Sequence, residues 1–244
     1  MVSLNCLILA GGFHNRIYSI VGNKPKALLE YKGKPVITYL VERIPENIPI
    51  LVSTNKKFEA DFYRWKKTID REIEIGIENC WSGQEKIGAV SSIDFWIKQK
   101  AIVTDLLVIA GDNYFEFDLS EFITSYDSEN PLVAVYNIKD KGKAGQFGVV
   151  ELKGNRIVRF EEKQENPKTS LVSTGCYIFP SRIFPLLSQL CQQPKDNLGH
   201  FIAYLVEKDS VLGYIFTEPW FDIGVEIFQS NKLQRRLVST VNLS

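Results

Sequence analysis

Two acids, Asp112 and Asp222, each stand just past an apolar stretch: Leu106-Leu107-Val108-Ile109-Ala110-Gly111 before the first and Trp220-Phe221 before the second. A carboxylate at the end of a buried strand can hold a divalent cation against phosphate oxygens, which a neutral side chain does less well. Near the N-terminus a third apolar run, Leu7-Ile8-Leu9-Ala10, stops at Gly11-Gly12, and Arg16, Lys24 and Lys26 follow within a polar segment. Paired glycines there open backbone angles closed to other residues and remove side chains that would hold a ligand away. Cations beside exposed N–H groups suit a polyphosphate. Plainer readings stand beside these: Asp112-Asn113 as a turn, and Gly11-Gly12 as a turn into a solvated basic loop. The acids lie about 110 residues apart, so they form one site only if the fold brings them together.

Other positions carry weaker signals. Asn79 to Val90 is a polar loop feeding a helix, and Gly88-Ala89 put almost no bulk at its first turn. Ligand approach and tight helix–sheet packing explain that equally well. Glu162-Lys163 follows an expected hairpin, as a functional pair or as surface charge. Gly175 interrupts the strand-like run Leu171 to Phe179, where glycine weakens a strand unless something must approach the backbone. His14 and His200 have no partners that would make either a general base or a metal ligand. The P-loop spacing G-x-x-x-x-G-K-[ST] is absent, as are the G-x-G-x-x-G fingerprint and a nucleophile elbow.

These residues must be positioned by alternating elements. Val2, Leu4, Leu7, Ile8 and Leu9 read as a buried strand at the centre of a sheet. A helix is expected at Pro35–Glu42, with a strand at Ile48–Val52 that ends at Ser53-Thr54-Asn55. A helix over Phe58–Ile69 places Phe58, Phe62, Trp65 and Ile69 on one face, which makes Trp65 core. Ile73, Ile75 and Ile77 alternate as a strand. Ile87, Val90, Ile93 and Ile97 form the apolar stripe of the next helix, with Trp96 beside it. That order points to crossover connections and a mostly parallel sheet. After a short helix from Phe117 and a strand over Leu132–Ile138, Lys139–Gly145 reads as a mobile charged loop. Phe147–Leu152 and Arg156–Phe160 then make an antiparallel hairpin over the sheet. Helices from Pro180 to Leu190 and over Leu198–Glu207, a strand at Val211–Phe216 and a closing helix from Val225 to Leu237 complete the chain.

Composition narrows the class. With 244 residues, 45% of them hydrophobic, and no Pro/Gly/Ser-rich linker, the chain reads as one domain. Twenty-nine basic residues balance 29 acidic ones, so nothing points to nucleic acid. No signal-peptide pattern opens the chain, and no run approaches the roughly 18 apolar residues of a membrane helix. Cys6, Cys80, Cys176 and Cys191 lack metal-ligand spacing and read as free thiols of a reducing, cytoplasmic compartment.

Four blocks, in order, carry a specific resemblance: Leu9-Ala10-Gly11-Gly12-Phe13 with Arg16 and Lys24-Pro25-Lys26-Ala27-Leu28; Gly111-Asp112-Asn113; Phe160-Glu161-Glu162-Lys163 before Thr174-Gly175-Cys176-Tyr177-Ile178-Phe179; and Trp220-Phe221-Asp222-Ile223-Gly224. Together they resemble the sugar-1-phosphate nucleotidyltransferases, in particular short glucose-1-phosphate thymidylyltransferase-like members. The resemblance implies a Rossmann-like three-layer α/β/α sandwich of the nucleotide-diphospho-sugar transferase kind, one domain over 1–244 with 139–179 as the sugar-side wall or lid. It implies Mg²⁺ on Asp112 and Asp222, and a nucleoside triphosphate on Ala10, Gly11, Gly12, Arg16, Lys26, Gln84 and Gly88. Arg16 and Lys26 would neutralise phosphates and share the catalytic work with the two acids. Glu162, Lys163 and Gly175 would receive the sugar phosphate. The expected reaction joins dTTP or UTP to glucose-1-phosphate; cytidylyl or guanylyl transfer to another sugar or polyol phosphate, and a non-catalytic nucleotide-sugar binder, are the alternatives. Monomer and homo-oligomer both stay open. The chain departs from the family pattern at His14-Asn15, where Gly-Thr is usual, and at Lys86-Ile87-Gly88-Ala89, where Gly-Thr-Ala is usual. It lacks a hexapeptide-repeat tail, so a single transfer activity is expected.

Overall fold

The computed structural model describes residues 3–13, 23–83, 87–191 and 197–227. In chain order the elements are β1 (Leu4–Leu9), β2 (Glu30–Tyr31), β3 (Lys34–Pro35), α1 (Val36–Arg43), β4 (Ile50–Asn55), α2 (Glu59–Lys66), β5 (Glu74–Glu78), α3 (Ala89–Gln99), β6 (Asp105–Ala110), β7 (Asn113–Phe115), α4 (Leu119–Thr124), β8 (Leu132–Asn137), α5 (Lys141–Ala144), β9 (Gly148–Lys153), β10 (Arg156–Glu162), β11 (Leu171–Phe179), α6 (Phe184–Leu190), α7 (Leu198–Lys208), β12 (Leu212–Phe216) and β13 (Trp220–Asp222). Nine strands form one mixed sheet in the order β5-β4-β1-β6-β11-β8-β12-β10-β9. The first four run parallel, with β1 between β4 and β6. β11 enters antiparallel beside both β6 and β8, so the antiparallel share is wider than one hairpin.

Alternation along β1 assigns the layers. Cys6 and Ile8 point to the face covered by α1 and α2, with Ile37, Leu40, Phe62 and Trp65. Leu7 points to the other face, against Ile93 and Trp96 of α3, Leu187 of α6 and Phe201 of α7. Burial on both faces explains why β1 and β6 are almost continuously apolar. Trp65 is core, as expected: it is buried, and its indole N–H donates to Thr38 Oγ1 at 2.9 Å.

Several expectations are corrected. Ser53, Thr54 and Asn55 do not end β4; they continue it, fully buried, because the side chains of Ser53 and Asn55 find partners within the fold. Ile87 lies before α3 and is exposed, so it leaves the apolar stripe to Val90, Ile93, Trp96 and Ile97. The charged stretch 139–145 is not an open loop: Asp140 caps the single turn α5 by accepting from Lys143 N–H at 3.2 Å, and Ala144 is buried beneath it. The hairpin β9–β10 also curls back to the sheet, where Val149 pairs with Val172 of β11. Helical backbone covers 223–227, and the rest of the expected closing helix lies outside the described residues. Among the described residues no helix is long and apolar enough to cross a membrane.

Candidate active site

Asp112 emerges from the carboxyl end of β6, beside the end of β1. Gly111 makes the exit tight: its N–H donates to Leu9 O at 2.9 Å, and a Cβ there would sit 3.1 Å from that oxygen. Asp222 arrives differently from its expected strand end on the main sheet. It lies on β13, which pairs with β7 in a separate two-stranded ribbon, Asp222 opposite Asn113. Ile223 N–H donates to Asp112 O at 2.9 Å, so the two acids are tied backbone to backbone despite their separation in sequence.

The cation of the site is Lys26. It starts a 3-10 turn after Pro25, and its Nζ lies 3.1 Å from Asp112 Oδ2. A Cβ on Gly224 would come within 2.8 Å of the same Nζ and 3.2 Å of Asp222 Oδ1, which places Lys26 against both acids. Asp222 Oδ1 accepts N–H bonds from Gly224 at 2.8 Å and Val225 at 3.0 Å. Even so, burial and the neighbouring charge of Asp112 push its carboxyl up from the usual range to about 6, against the pull of Lys26 and those two N–H groups. The two acids are thus held beside each other, with Lys26 against them among the described residues. Lys24 is not part of this group; it pairs with Glu30 at 3.1 Å.

A cleft of about 530 Å³ runs from these acids to the hairpin, lined by Lys26, Asp112, Asp222, Glu162, Lys163 and Gly175 among others. Gly175 has φ +75°, and a Cβ there would strike Ala110 Cβ at 2.9 Å and Asn113 Nδ2 at 3.0 Å, so only glycine fits. Asn113 is fixed in turn by Trp220, whose indole N–H donates to Asn113 Oδ1 at 2.9 Å. Glu162 ends β10 and packs its carboxylate on the first turn of α7, where a Cβ on Gly199 would fall 2.0 Å from Oε2. Lys163 follows with φ +50°, a conformation non-glycine residues seldom adopt, and its N–H donates to Phe147 O at 3.0 Å.

Gly11 and Gly12 sit at the end of β1, but neither has positive φ. The expected conformational reason is therefore replaced by a spatial one: a Cβ on Gly12 would meet nothing within 4 Å among the described residues. Ala10 is buried, with its N–H donating to Ser53 O at 2.8 Å. Gly88 caps α3 with extended backbone and accepts from Ser92 N–H at 2.8 Å. Gly11, Gly12 and Gly88 stand outside the lining of the 530 Å³ cleft. Arg16, Gln84 and His14-Asn15 lie outside the described residues.

Residues 5–227 match the nucleotidyl transferase family. The chain belongs to that family. It is 30% identical over 237 residues to the bifunctional protein GlmU of Methanocaldococcus jannaschii, a match that covers 94% of this chain and 54% of the relative. The chain spans about half the length of the curated relatives it matches. Among solved structures, a UDP-glucose pyrophosphorylase complexed with UDP-glucose superimposes with a TM-score of 0.75 at 19% identity, covering 97% of this chain and all of the other. The inositol-1-phosphate CTP transferase of T. maritima does so with 0.74 at 15% identity, covering 91% and 89%. The fold is therefore the mixed-sheet α/β fold of the sugar-1-phosphate nucleotidyltransferases, and the four sequence blocks are those of a family member.

Several residues in or beside the candidate site carried no role of their own in the sequence reading. Asn113 was read as part of a turn and of the Gly111-Asp112-Asn113 block, Ser53 as the end of its strand, and Gly199 and Glu78 were not marked. Glycine at the start of a helix was the available signal for Gly199. A second, larger cleft of about 990 Å³ lies at the opposite edge of the parallel strands, around Arg71. There the guanidinium donates to the carbonyls of Ile44, Pro45 and Ile48, which makes Arg71 a clamp on the α1–β4 connection.

Proposed function

We propose that this chain transfers a nucleoside monophosphate from a nucleoside triphosphate to a sugar-1-phosphate, releasing pyrophosphate and forming a nucleoside-diphosphate sugar. The observation that carries this reading is the meeting of Lys26, Asp112 and Asp222 at one end of a cleft whose far wall carries Glu162, Lys163 and Gly175. Two neighbouring carboxylates with hard oxygens suit Mg²⁺, which is commonly held by one or two carboxylates together with substrate phosphates. Asp112 and Asp222 would hold it, and the ion would supply positive charge to the α-phosphate oxygens. Among the described residues no group of three metal-ligating side chains exists, in keeping with an ion completed by substrate rather than by protein.

The chain's own residues account for the remaining demands of the reaction. A sugar-1-phosphate oxygen attacks the α-phosphorus while pyrophosphate departs opposite it. Both partners are anions, so alignment and charge neutralisation carry the rate. Lys26 would meet phosphate oxygens beside the acids, and Arg16, which precedes it in the sequence, would add a second charge. Ala10, Gly11, Gly12, Gln84 and Gly88 would seat the nucleotide. Glu162 would accept sugar hydroxyls, Lys163 would pair with the sugar phosphate, and Gly175 would let the sugar lie against β11. The attacking phosphate is already ionised near neutral pH, so no general base is required.

The names of the solved relatives carry different bases, uridine in one and cytidine in another, so thymidylyl or uridylyl transfer to glucose-1-phosphate is one cell of a grid to be measured. Pyrophosphate release from five nucleoside triphosphates against a panel of sugar-1-phosphates, with and without Mg²⁺, tests the reading; silence across the grid sinks it. The Glu162 assignment has its own test. Gly199→Ala should displace the Glu162 carboxylate and raise KM for the sugar phosphate about tenfold, the worth of a charged hydrogen bond, while KM for the triphosphate stays put. Equal changes in both constants would remove Glu162 from the sugar side.

A further inference from the structure

The carboxyl end of β5 holds a buried acid outside the cleft described above. Glu78 is only 6% exposed, beside Asn55 of β4. Its Oε1 accepts from Ser53 Oγ at 2.6 Å and from Ser92 Oγ of α3. The direction of these bonds is fixed from outside. Trp96 Nε1, which can only donate, gives its hydrogen to Ser53 Oγ at 2.7 Å, so the Ser53 hydroxyl hydrogen is released toward Glu78. Both hydroxyls therefore donate to the same carboxylate oxygen.

The other oxygen is left over. Glu78 Oε2 makes no hydrogen bond among the described residues, and it faces the backbone at the end of β1: a Cβ on Gly11 would lie 3.6 Å from it. Gly11 is held against β4 by Asn55, whose Nδ2 donates to Gly11 O at 3.0 Å. Ser92, one turn into α3, also donates its N–H to Gly88 O. The network thus joins Gly11 and Gly88, two positions read separately as nucleotide contacts. Glu78 Oε2 is not among the closed-off atoms of the described residues, so an acceptor oxygen stands open to a donor beside Gly11. As a cross-link alone, a glutamine would serve the two hydroxyls equally well.

We propose that Glu78 reads the base of the nucleotide, and that it favours guanine. This rests on the nucleotidyl-transfer reading above. A carboxylate oxygen accepts and cannot donate. Thymine and uracil offer one ring N–H flanked on both sides by carbonyl oxygens, which the carboxylate repels. Guanine offers N1–H and the adjacent N2 amine, two neighbouring donors that can converge on one oxygen. Adenine and cytosine offer an amine beside an acceptor ring nitrogen, and rank between.

The test is equilibrium binding of ATP, CTP, GTP, UTP and dTTP to the whole chain with Mg²⁺ and no sugar phosphate, for the wild type and Glu78→Gln. The wild type should bind GTP at least tenfold more tightly than UTP or dTTP. In Glu78→Gln the two hydroxyls hold the amide oxygen, which turns the amide nitrogen toward the base and exchanges an acceptor for a donor. GTP should weaken about tenfold or more and UTP and dTTP should gain, since their carbonyls now find a donor. A wild type that prefers UTP or dTTP, or a ranking unchanged in Glu78→Gln, overturns the role of Glu78 while leaving nucleotide binding intact. If none of the five nucleotides binds the wild type, the nucleotidyl-transfer reading falls with it. Ser92→Ala removes one orienting hydroxyl without touching Glu78; it should narrow the GTP preference, and an unnarrowed preference counts against the network.

Discussion

Asp222→Asn should abolish transfer and make the metal-free protein more stable. The two effects have one cause. Asp222 sits half-buried beside Asp112, and its ionisation in the folded state is opposed by burial and by that neighbour. Below about pH 4 the carboxyl is protonated in both folded and unfolded chains, and it contributes nothing to the balance. Between about pH 4 and about pH 6 the unfolded chain gives up its proton first, so the folded state loses stability as pH rises; above about pH 6 the penalty is complete. Discounted for partial exposure, it is on the order of 1–2 kcal/mol. Asparagine keeps the oxygen that accepts from Gly224 and Val225 N–H and removes the charge. Denaturant unfolding without metal should show the gain at pH 7.5 and its disappearance at pH 4. Transfer activity should fall about 10³-fold or more, the scale of losing a principal electrostatic contact to the reacting phosphate. Mg²⁺ should raise the thermal midpoint of the wild type and leave the variant unmoved. A variant that keeps full activity, or that unfolds more easily at pH 7.5, would separate Asp222 from the metal.

Lys26→Met tests the other half of the same group. Lys26 pairs with Asp112 at 3.1 Å and draws the Asp222 carboxyl down. Its removal takes away the cation that, among the described residues, lies against both acids, and kcat/KM should drop about 10²- to 10⁴-fold. The pH profile carries the diagnostic. In the wild type the acidic limb should rise with ionisation of Asp222, near pH 6; in Lys26→Met that limb should move to higher pH, because the ion it loses favoured the charged carboxylate. A merely structural lysine would lower the rate without moving the limb. Lys26→Arg should rescue poorly, since the ammonium sits so near Gly224 that a Cβ there would lie 2.8 Å from it, a close fit for a broader guanidinium.

Much of this site was legible in residue order. The strands at Leu4–Leu9 and Asp105–Ala110 were visible as apolar runs long enough to be buried on both faces. Gly175 was singled out because an interior strand glycine is unfavourable without a reason, and its positive φ and the closeness of Ala110 and Asn113 supply that reason. The reading failed where polarity was taken as the end of an element. Ser53, Thr54 and Asn55 look like a turn, yet they extend β4, since Ser53 and Asn55 meet Glu78, Trp96 and Gly11 from elements distant in sequence. Glu78 was hidden in an alternating strand, where a glutamate is ordinarily a solvent-facing residue.

By itself the sequence determined the family, the α/β alternation and the identity of the acids, glycines and lysine proposed for the chemistry, because those depend on local pattern and on motifs short enough to read along the chain. The meeting of Asp112 with Asp222 was decided only in three dimensions. It depends on the β7–β13 ribbon, whose register sets Asp222 opposite Asn113 through hydrogen bonds between strands more than 100 residues apart. So too with the raised carboxyl of Asp222, the cation beside the acids and the Glu78 oxygen that has no partner among the described residues: each is a property of distance and burial, which residue order does not contain.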